Sequence, residues 1–193
     1  MQSQDVIKKF RATGALLEGH FVLSSGLHSA SYLQCALVLQ YPAEAENFGS
    51  AIAEHFQHER IELVASPAIG GIVIGHEVAR ALGARFIWTE RENGQMSLRR
   101  GFSVSADERT LVVEDVVTTG GSTRATVTLL KDLGANVIAA ASIIDRSSGE
   151  ADVGVPRVAL ATLDVPADDP SACDFCKRGE PFIKPGSRKG SGQ

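Results

Sequence analysis

Leu111-Val-Val-Glu-Asp-Val-Val-Thr-Thr-Gly-Gly-Ser122 decides how the rest of the chain is read. Residues 110–114 are apolar and β-branched, which predicts a strand buried on both faces. Two adjacent acids, Glu114 and Asp115, close it. Two residues later Thr118-Thr-Gly-Gly-Ser122 opens a helix expected over 122–133, with Gly134 at its end. Successive backbone N–H groups of 118–122 can point at one anion, which the positive end of the helix dipole also favours. Gly120 and Gly121 permit the backbone angles and the close approach, and Thr118, Thr119 and Ser122 add hydroxyl donors. No Gly-Lys-Ser/Thr follows, so this is not a nucleotide P-loop. Glu114 and Asp115 repel phosphate, but they can accept hydrogen bonds from vicinal hydroxyls or hold a hydrated Mg²⁺. Together the two halves specify a ribose 5-phosphate with free 2- and 3-hydroxyls.

Strand and helix alternate on either side of this segment. Strands are expected at 61–65, 84–88, 135–144 and 157–163, and helices at 5–11, 43–55 and 72–82, the last capped by Gly83. Phe21-Val-Leu and Ser31-Tyr-Leu-Gln flank a polar turn and read as a hairpin-type unit. The alternation predicts an α/β fold with a central parallel sheet flanked by helices. Ligands of such sheets sit beyond the carboxyl ends of the strands, so loops 66–71, 89–101 and 115–122 are expected to converge. Asn93-Gly94 is a turn signal inside the second of them.

The chain has 193 residues, 44% hydrophobic and 22% charged, enough for one domain, 1–193, with a substantial core. No run reaches the roughly 18 apolar residues of a membrane span, and Met1-Gln-Ser-Gln-Asp carries no signal-sequence pattern; a cytoplasmic protein is expected. A net charge of −4 argues against general nucleic-acid binding. Cys35, Cys173 and Cys176 give no disulfide framework. Cys173-Asp-Phe-Cys176 has zinc-knuckle spacing, but one pair is half a tetrahedral site. Without a second pair, unless a dimer supplies one, it reads as free thiols in a tail. His20, His28, His55, His58 and His76 show no ligand spacing; only His28 is placed where a ligand role makes sense. No direct side-chain metal ligation is therefore expected. The tail, Pro181 to Gln193, is rich in Gly, Ser, Lys and Arg, and its last residues are expected to be disordered.

The 111–122 segment resembles the phosphoribosyl-pyrophosphate motif of the type I phosphoribosyltransferases. Gly14-Ala-Leu-Leu-Glu-Gly-His-Phe-Val-Leu-Ser-Ser-Gly-Leu-His-Ser29 with Tyr32 resembles the N-terminal hood of the orotate phosphoribosyltransferases. So do Thr89-Glu-Arg-Glu-Asn-Gly94, Leu98-Arg-Arg-Gly-Phe102, Ile144-Asp-Arg-Ser147 and Lys184-Pro-Gly-Ser-Arg188. The resemblance implies the type I phosphoribosyltransferase fold: a core of about 41–165 and a small hood of about 1–40 plus part of the C-terminal region. It implies a homodimer in which the 89–101 loop reaches the neighbour's site. The implied reaction takes orotate and phosphoribosyl pyrophosphate, with Mg²⁺ carried on substrate, to orotidine 5′-phosphate and pyrophosphate. By resemblance, Ile69, Gly70, Arg91, Glu114, Asp115 and the run Val116, Val117, Thr118, Thr119, Gly120, Gly121, Ser122 contact phosphoribosyl pyrophosphate. Thr118, Arg146, Ser25, Gly26 and Tyr32 contact orotate, and Arg91, Glu114 and Asp115 serve catalysis. Arg146 can hold a carboxylate in a fork, and Arg91, Arg99 and Arg100 are the candidate charges for departing pyrophosphate.

The chain departs from well-known members of the family at three lysine positions. Ser24 and Gly70 stand at two, Gln95 stands where short-loop members look lysine-like, and no lysine occurs between Lys9 and Lys131. Losing one such donor costs roughly 10²–10³ in rate. Two other functions therefore share part of the pattern: a purine phosphoribosyltransferase, opposed by Arg146 and the hood segment, and a non-catalytic regulator binding phosphoribosyl pyrophosphate. No segment is left over for the DNA-binding domain such regulators carry.

Overall fold

Residues on the central strands alternate between two cores. Leu63, Ala65 and Val112 face one, where helix α5 (Gly121–Asp132) contributes Val127 and Leu130. Val64, Leu111 and Val113 face the other, with Phe10, Phe48, Ile52, Ile74 and Val78. Both faces are apolar because both are covered, as the unbroken β-branched strands require. The computed structural model describes residues 1–23 and 26–184.

The second core is built by α1 (Ser3–Ala12), α3 (Pro42–Glu54) and α4 (Gly71–Leu82). Between them lie β3 (Leu63–Pro67), β4 (Arg85–Glu92), β5 (Gln95–Leu98), β6 (Arg109–Val117), β7 (Asn136–Asp145) and β8 (Arg157–Thr162), ordered β5-β4-β3-β6-β7-β8. Every pairing is parallel except β4 with β5, which is antiparallel and forms the edge. Pro42 opens α3, and Gly83, at φ 65°, closes α4 in the left-handed region that favours glycine. α4 lies so close to β3 that a Cβ on Gly75 would stand 2.0 Å from Ser66 Oγ.

A second sheet carries β1 (Leu16–Val22), β2 (His28–Leu33) and β9 (Ala167–Asp168), all antiparallel. The expected hairpin unit is present, with longer strands than the two apolar tripeptides suggest. Short elements escape the sequence reading: α2 (Ala36–Leu39), β5, β9 and α6 (Asp174–Lys177). Four residues or fewer carry no period.

One expectation is corrected. Residues 89–100 are not a loop after a strand ending at 88. β4 continues to Glu92, three residues past its pairing with Pro67 at the end of β3, and returns as β5. Asn93 and Gly94, at φ 49° and 83°, make the tight turn. The arm is polar because it projects past the sheet, so no buried face imposes alternation. Among the described residues no helix is long and apolar enough to cross a membrane.

Candidate active site

β3, β6 and β7 are neighbours running the same way, so the loops leaving their carboxyl ends open at one edge of the sheet. The loop after β3 lies directly against the acids at the end of β6. A Cβ on Gly70 would stand 2.8 Å from each Asp115 carboxylate oxygen, and one on Gly71 would stand 3.0 Å from the Val113 carbonyl oxygen. Only glycine lets the backbone approach so closely. The Ala68–Ile69 peptide in this loop is cis, and Ile69 is 84% exposed.

The acid pair is poorly solvated. Glu114 is 8% exposed and accepts a long 3.4 Å hydrogen bond from Thr123 Oγ1. Burial, and after it the neighbouring Asp115, pushes its carboxyl up to about 9. Burial also raises Asp115, against the opposing pull of the Val116 N–H, which donates to Oδ1 at 2.9 Å. The effect spreads to the hood. Burial and then Asp115 raise the thiol of Cys35 and the phenol of Tyr32, the latter opposed by Arg146. Tyr32 on β2 is thus within electrostatic reach of both Asp115 and Arg146, the residue after β7.

Arg146 is half-buried, and its Nε is buried with no hydrogen-bond partner. Desolvation depresses its pKa. A guanidinium with an unsatisfied buried N–H is costly unless a ligand completes it. Its backbone is pinned instead, the N–H donating to the Val117 carbonyl at 2.8 Å. The preceding residue, Asp145, organises the loop. Its carboxylate pairs with Arg157 at 2.9 Å and accepts from Ser147 Oγ at 2.6 Å and from the Ser147 and Gly149 N–H groups at 2.8 and 3.0 Å. Desolvation would raise this acid, but those donors outweigh it and hold it below its ordinary value. The sequence reading missed Asp145 and Arg157 as positioning residues; the Asp-x-Ser spacing before Gly149 is the signal that could have found the turn. Cys35 beneath Asp115 has no such signal.

Between β6 and α5, Thr118 and Thr119 are exposed and so are Gly121 and Ser122. Gly120 caps α5 at φ 76°, and a Cβ there would also meet Val153 Cγ1 at 2.9 Å. The first N–H groups of this twelve-residue helix have no intrahelical acceptor. They face the same edge as the acids. Val116 and Val117 are half-buried and buried, so they can offer backbone atoms only.

The hairpin arginines stand apart. Arg91 donates to the Gly94 carbonyl at 2.9 Å, Arg99 pairs with Glu92 at 3.4 Å, and Arg100 pairs with Glu90 while lying over the Trp88 ring. Apart from Trp88, which pairs with Ser66 in the sheet, these partners belong to the arm. Of the expected hood contacts, Gly26 is exposed at φ 87° in the turn closed by the Leu23 N–H to Leu27 carbonyl bond. Ser24 and Ser25 lie outside the described residues, as do 185–193. One further correction concerns Cys173, which is 2% exposed and packed on the hood rather than free in a tail.

Comparison with known proteins accords with this geometry. Residues 37–159 match the phosphoribosyl transferase domain family. An orotate phosphoribosyltransferase of Caldicellulosiruptor bescii is 50% identical over 189 residues, 98% of this chain and 100% of the relative. One from Thermotoga maritima is 52% identical over 176 residues, 91% and 94% of the two chains. The crystal structure of orotate phosphoribosyltransferase from Aeropyrum pernix superposes with a TM-score of 0.70 at 27% identity, covering 82% of this chain and 93% of that one. Adenine phosphoribosyltransferase from Thermoanaerobacter pseudethanolicus superposes with a TM-score of 0.60 at 17% identity, covering 69% and 88%, a likeness of fold alone. The chain belongs to the phosphoribosyl transferase domain family and, within it, to the orotate phosphoribosyltransferases.

Proposed function

We propose that this single-domain chain transfers the 5-phosphoribosyl group of phosphoribosyl pyrophosphate to orotate, giving orotidine 5′-phosphate and pyrophosphate in pyrimidine synthesis. The observation that carries the choice of base is Arg146. Its buried, unpaired Nε belongs to the residue just past the carboxyl end of β7, within electrostatic reach of Tyr32. A planar carboxylate-bearing pyrimidine would complete its hydrogen bonding; a purine without a carboxylate would leave it unsatisfied.

The 5-phosphate sits on the N–H groups and hydroxyls of Thr118, Thr119, Gly120, Gly121 and Ser122, at the positive end of α5. Glu114 and Asp115 accept hydrogen bonds from the ribose 2- and 3-hydroxyls. Those hydroxyls offset the desolvation that holds Glu114 near 9 when the pocket is free. Ile69 and Gly70 offer backbone to the pyrophosphate, and Gly26 and Tyr32, with Ser25, close over the base. Two carboxylates without a third ligand suit a hydrated Mg²⁺ shared with substrate oxygens better than a protein-built cage. When bound, that ion supplies charge neutralisation at the pyrophosphate. The protein's own part is to hold the C1–oxygen bond and the attacking ring nitrogen in line and to exclude water. Positive charge building on the ribose is stabilised by the nearby carboxylates.

Arg91 neutralises the leaving group from a hairpin that projects beyond the sheet. We place its action across a homodimer, in the partner's site, because its contacts within the chain stay on its own arm. The protein acts in the cytoplasm on soluble substrates. The test follows loss of orotate absorbance with phosphoribosyl pyrophosphate and Mg²⁺. Loss dependent on all three supports the reading; tight binding of phosphoribosyl pyrophosphate without turnover would mark a regulator instead, and turnover of adenine or hypoxanthine a purine enzyme.

A further inference from the structure

Four metal-ligating groups meet in the hood, remote in sequence and outside the substrate pocket. His20 on β1, His28 on β2, and Cys173 and Cys176 at α6 each aim one donor atom at a common point, all within 4.8 Å of one another. His20 Nε2 lies 2.6 Å from His28 Nδ1, 3.6 Å from Cys173 Sγ and 3.7 Å from Cys176 Sγ. Cys176 Sγ lies 3.2 Å from His28 Nδ1. A tetrahedral zinc ion with bonds of about 2.0 Å to nitrogen and 2.3 Å to sulfur has edges of roughly 3.3–3.8 Å. Two of the observed separations, 3.6 and 3.7 Å, fall in that range, the 3.2 Å one lies just below it, and the imidazoles at 2.6 Å need part by less than an ångström. A cluster of two irons would need its ligands spread further.

Protonation supports a lone pair directed inward. His20 Nδ1 lies 2.9 Å from the Glu180 carbonyl oxygen, which can only accept. The proton therefore sits on Nδ1, and Nε2 presents its lone pair to the other three groups. Apolar walls surround the point: the Phe175 ring stacks on His20 at 5.2 Å, and Phe182 sits edge-on to His20 and tilted against His28. Three of the four residues are buried, where imidazole and thiol groups without a shared partner are costly.

The same cluster answers a packing problem. Among residues 162–184 Cys173 alone is buried, while Phe182 and Ile183 are exposed. β9 pairs through only two residues. Beyond it the segment is held to β1 by a single bridge, Ile183 exchanging backbone hydrogen bonds of 2.8 and 2.9 Å with His20 and Val22, and by the Phe175 and Phe182 rings.

We propose that His20, His28, Cys173 and Cys176 bind one structural Zn²⁺ that fastens the C-terminal segment onto the β1–β2 hairpin. Two thiolates and two imidazoles in a closed tetrahedron are the donor set zinc prefers. His20 and His28 flank the turn that carries Gly26, so the ion also sets the footing of the loop over the base. The inference is independent of which base is bound.

Elemental analysis of the purified chain is expected to give one zinc per chain. After chelator stripping, Co²⁺ titration of the reduced wild-type protein should give thiolate charge-transfer bands and tetrahedral d–d bands saturating at one equivalent, displaced by Zn²⁺. Cys173→Ser with Cys176→Ser should abolish them, and His20→Cys should keep stoichiometric binding with a shifted spectrum. Hydrogen exchange over 163–184 should slow at least tenfold on Zn²⁺ addition. The proposal is overturned by substoichiometric zinc with no tetrahedral Co²⁺ spectrum in the wild type, by a Cys173–Cys176 disulfide in the purified protein, or by bands that survive the double serine variant.

Discussion

β6 and β7 bury Leu111, Val112, Val113, Ile143 and Ile144 almost completely, whereas among the described residues after β8, 163–184, only Cys173 is buried. The sheet is held by apolar area on two faces, worth about 25 cal/mol per Å². The hood is held by a three-stranded sheet with one two-residue strand and by a convergence of histidines and cysteines. The difference has a functional sense. On the proposed reading, ribose phosphate needs fixed N–H groups and carboxylates, and these sit at the end of β6 and the start of α5, against the sheet. The base has to enter and leave beneath a cover, and that cover is built from an element with little core of its own.

The contrast in rigidity is the largest effect to look for. Amides of β3, β6 and β7 are expected to exchange roughly 10³-fold more slowly than those of β9 and α6 in metal-stripped protein. Equal protection across both regions would remove the distinction. Next comes the hairpin arm. Arg91→Ala should lower turnover by about 10²–10³ while stability moves by no more than about 0.5 kcal/mol. An unchanged rate would sink its role at the leaving group. Mixing Arg91→Ala subunits with subunits defective at Asp115 should restore part of the activity if the arm serves the partner's site.

Two smaller effects sharpen the rigid half. Gly70→Ala puts a methyl where the Asp115 carboxylate lies. It should raise KM for phosphoribosyl pyrophosphate by about tenfold with little change in KM for orotate; equal changes in both would argue against selective damage to the acid pair. Glu114→Gln separates stability from function. The folded carboxyl stands at about 9 against an ordinary 4.5, so its stability contribution is full below 4.5 and is lost as pH rises toward 9. The neutral variant should therefore gain melting temperature over the parent progressively as pH climbs through that window, while losing affinity for phosphoribosyl pyrophosphate. A variant that melts lower throughout would contradict the desolvated-acid description.

The sheet and the glycine turn between β6 and α5 were legible because each signal is local. The apolar runs, Pro42, Gly83 and Gly120 each act within a few residues, and the rule that ligands sit at strand carboxyl ends supplies the convergence. The hairpin was half legible: Asn93-Gly94 marked its turn, but its strands project past the sheet and lack an apolar face. The hood cluster was least legible. Cys173 and Cys176 show half a site by spacing, whereas His20 and His28 come from a hairpin about 150 residues earlier, with no local pattern linking them to the thiols. Asp145 escaped for another reason, since its importance lies in the loop it ties down beside Arg146.

Discrimination between orotate and uracil tests the central claim most directly, because the two differ only in the carboxylate assigned to Arg146. The wild-type protein should prefer orotate in kcat/KM by roughly 10³ or more, and Arg146→Ala should lose at least about a hundredfold of that preference with its melting temperature nearly unchanged. A variant that keeps the wild-type preference would show that the carboxylate is read elsewhere, and the assignment of this pocket to orotate would fall.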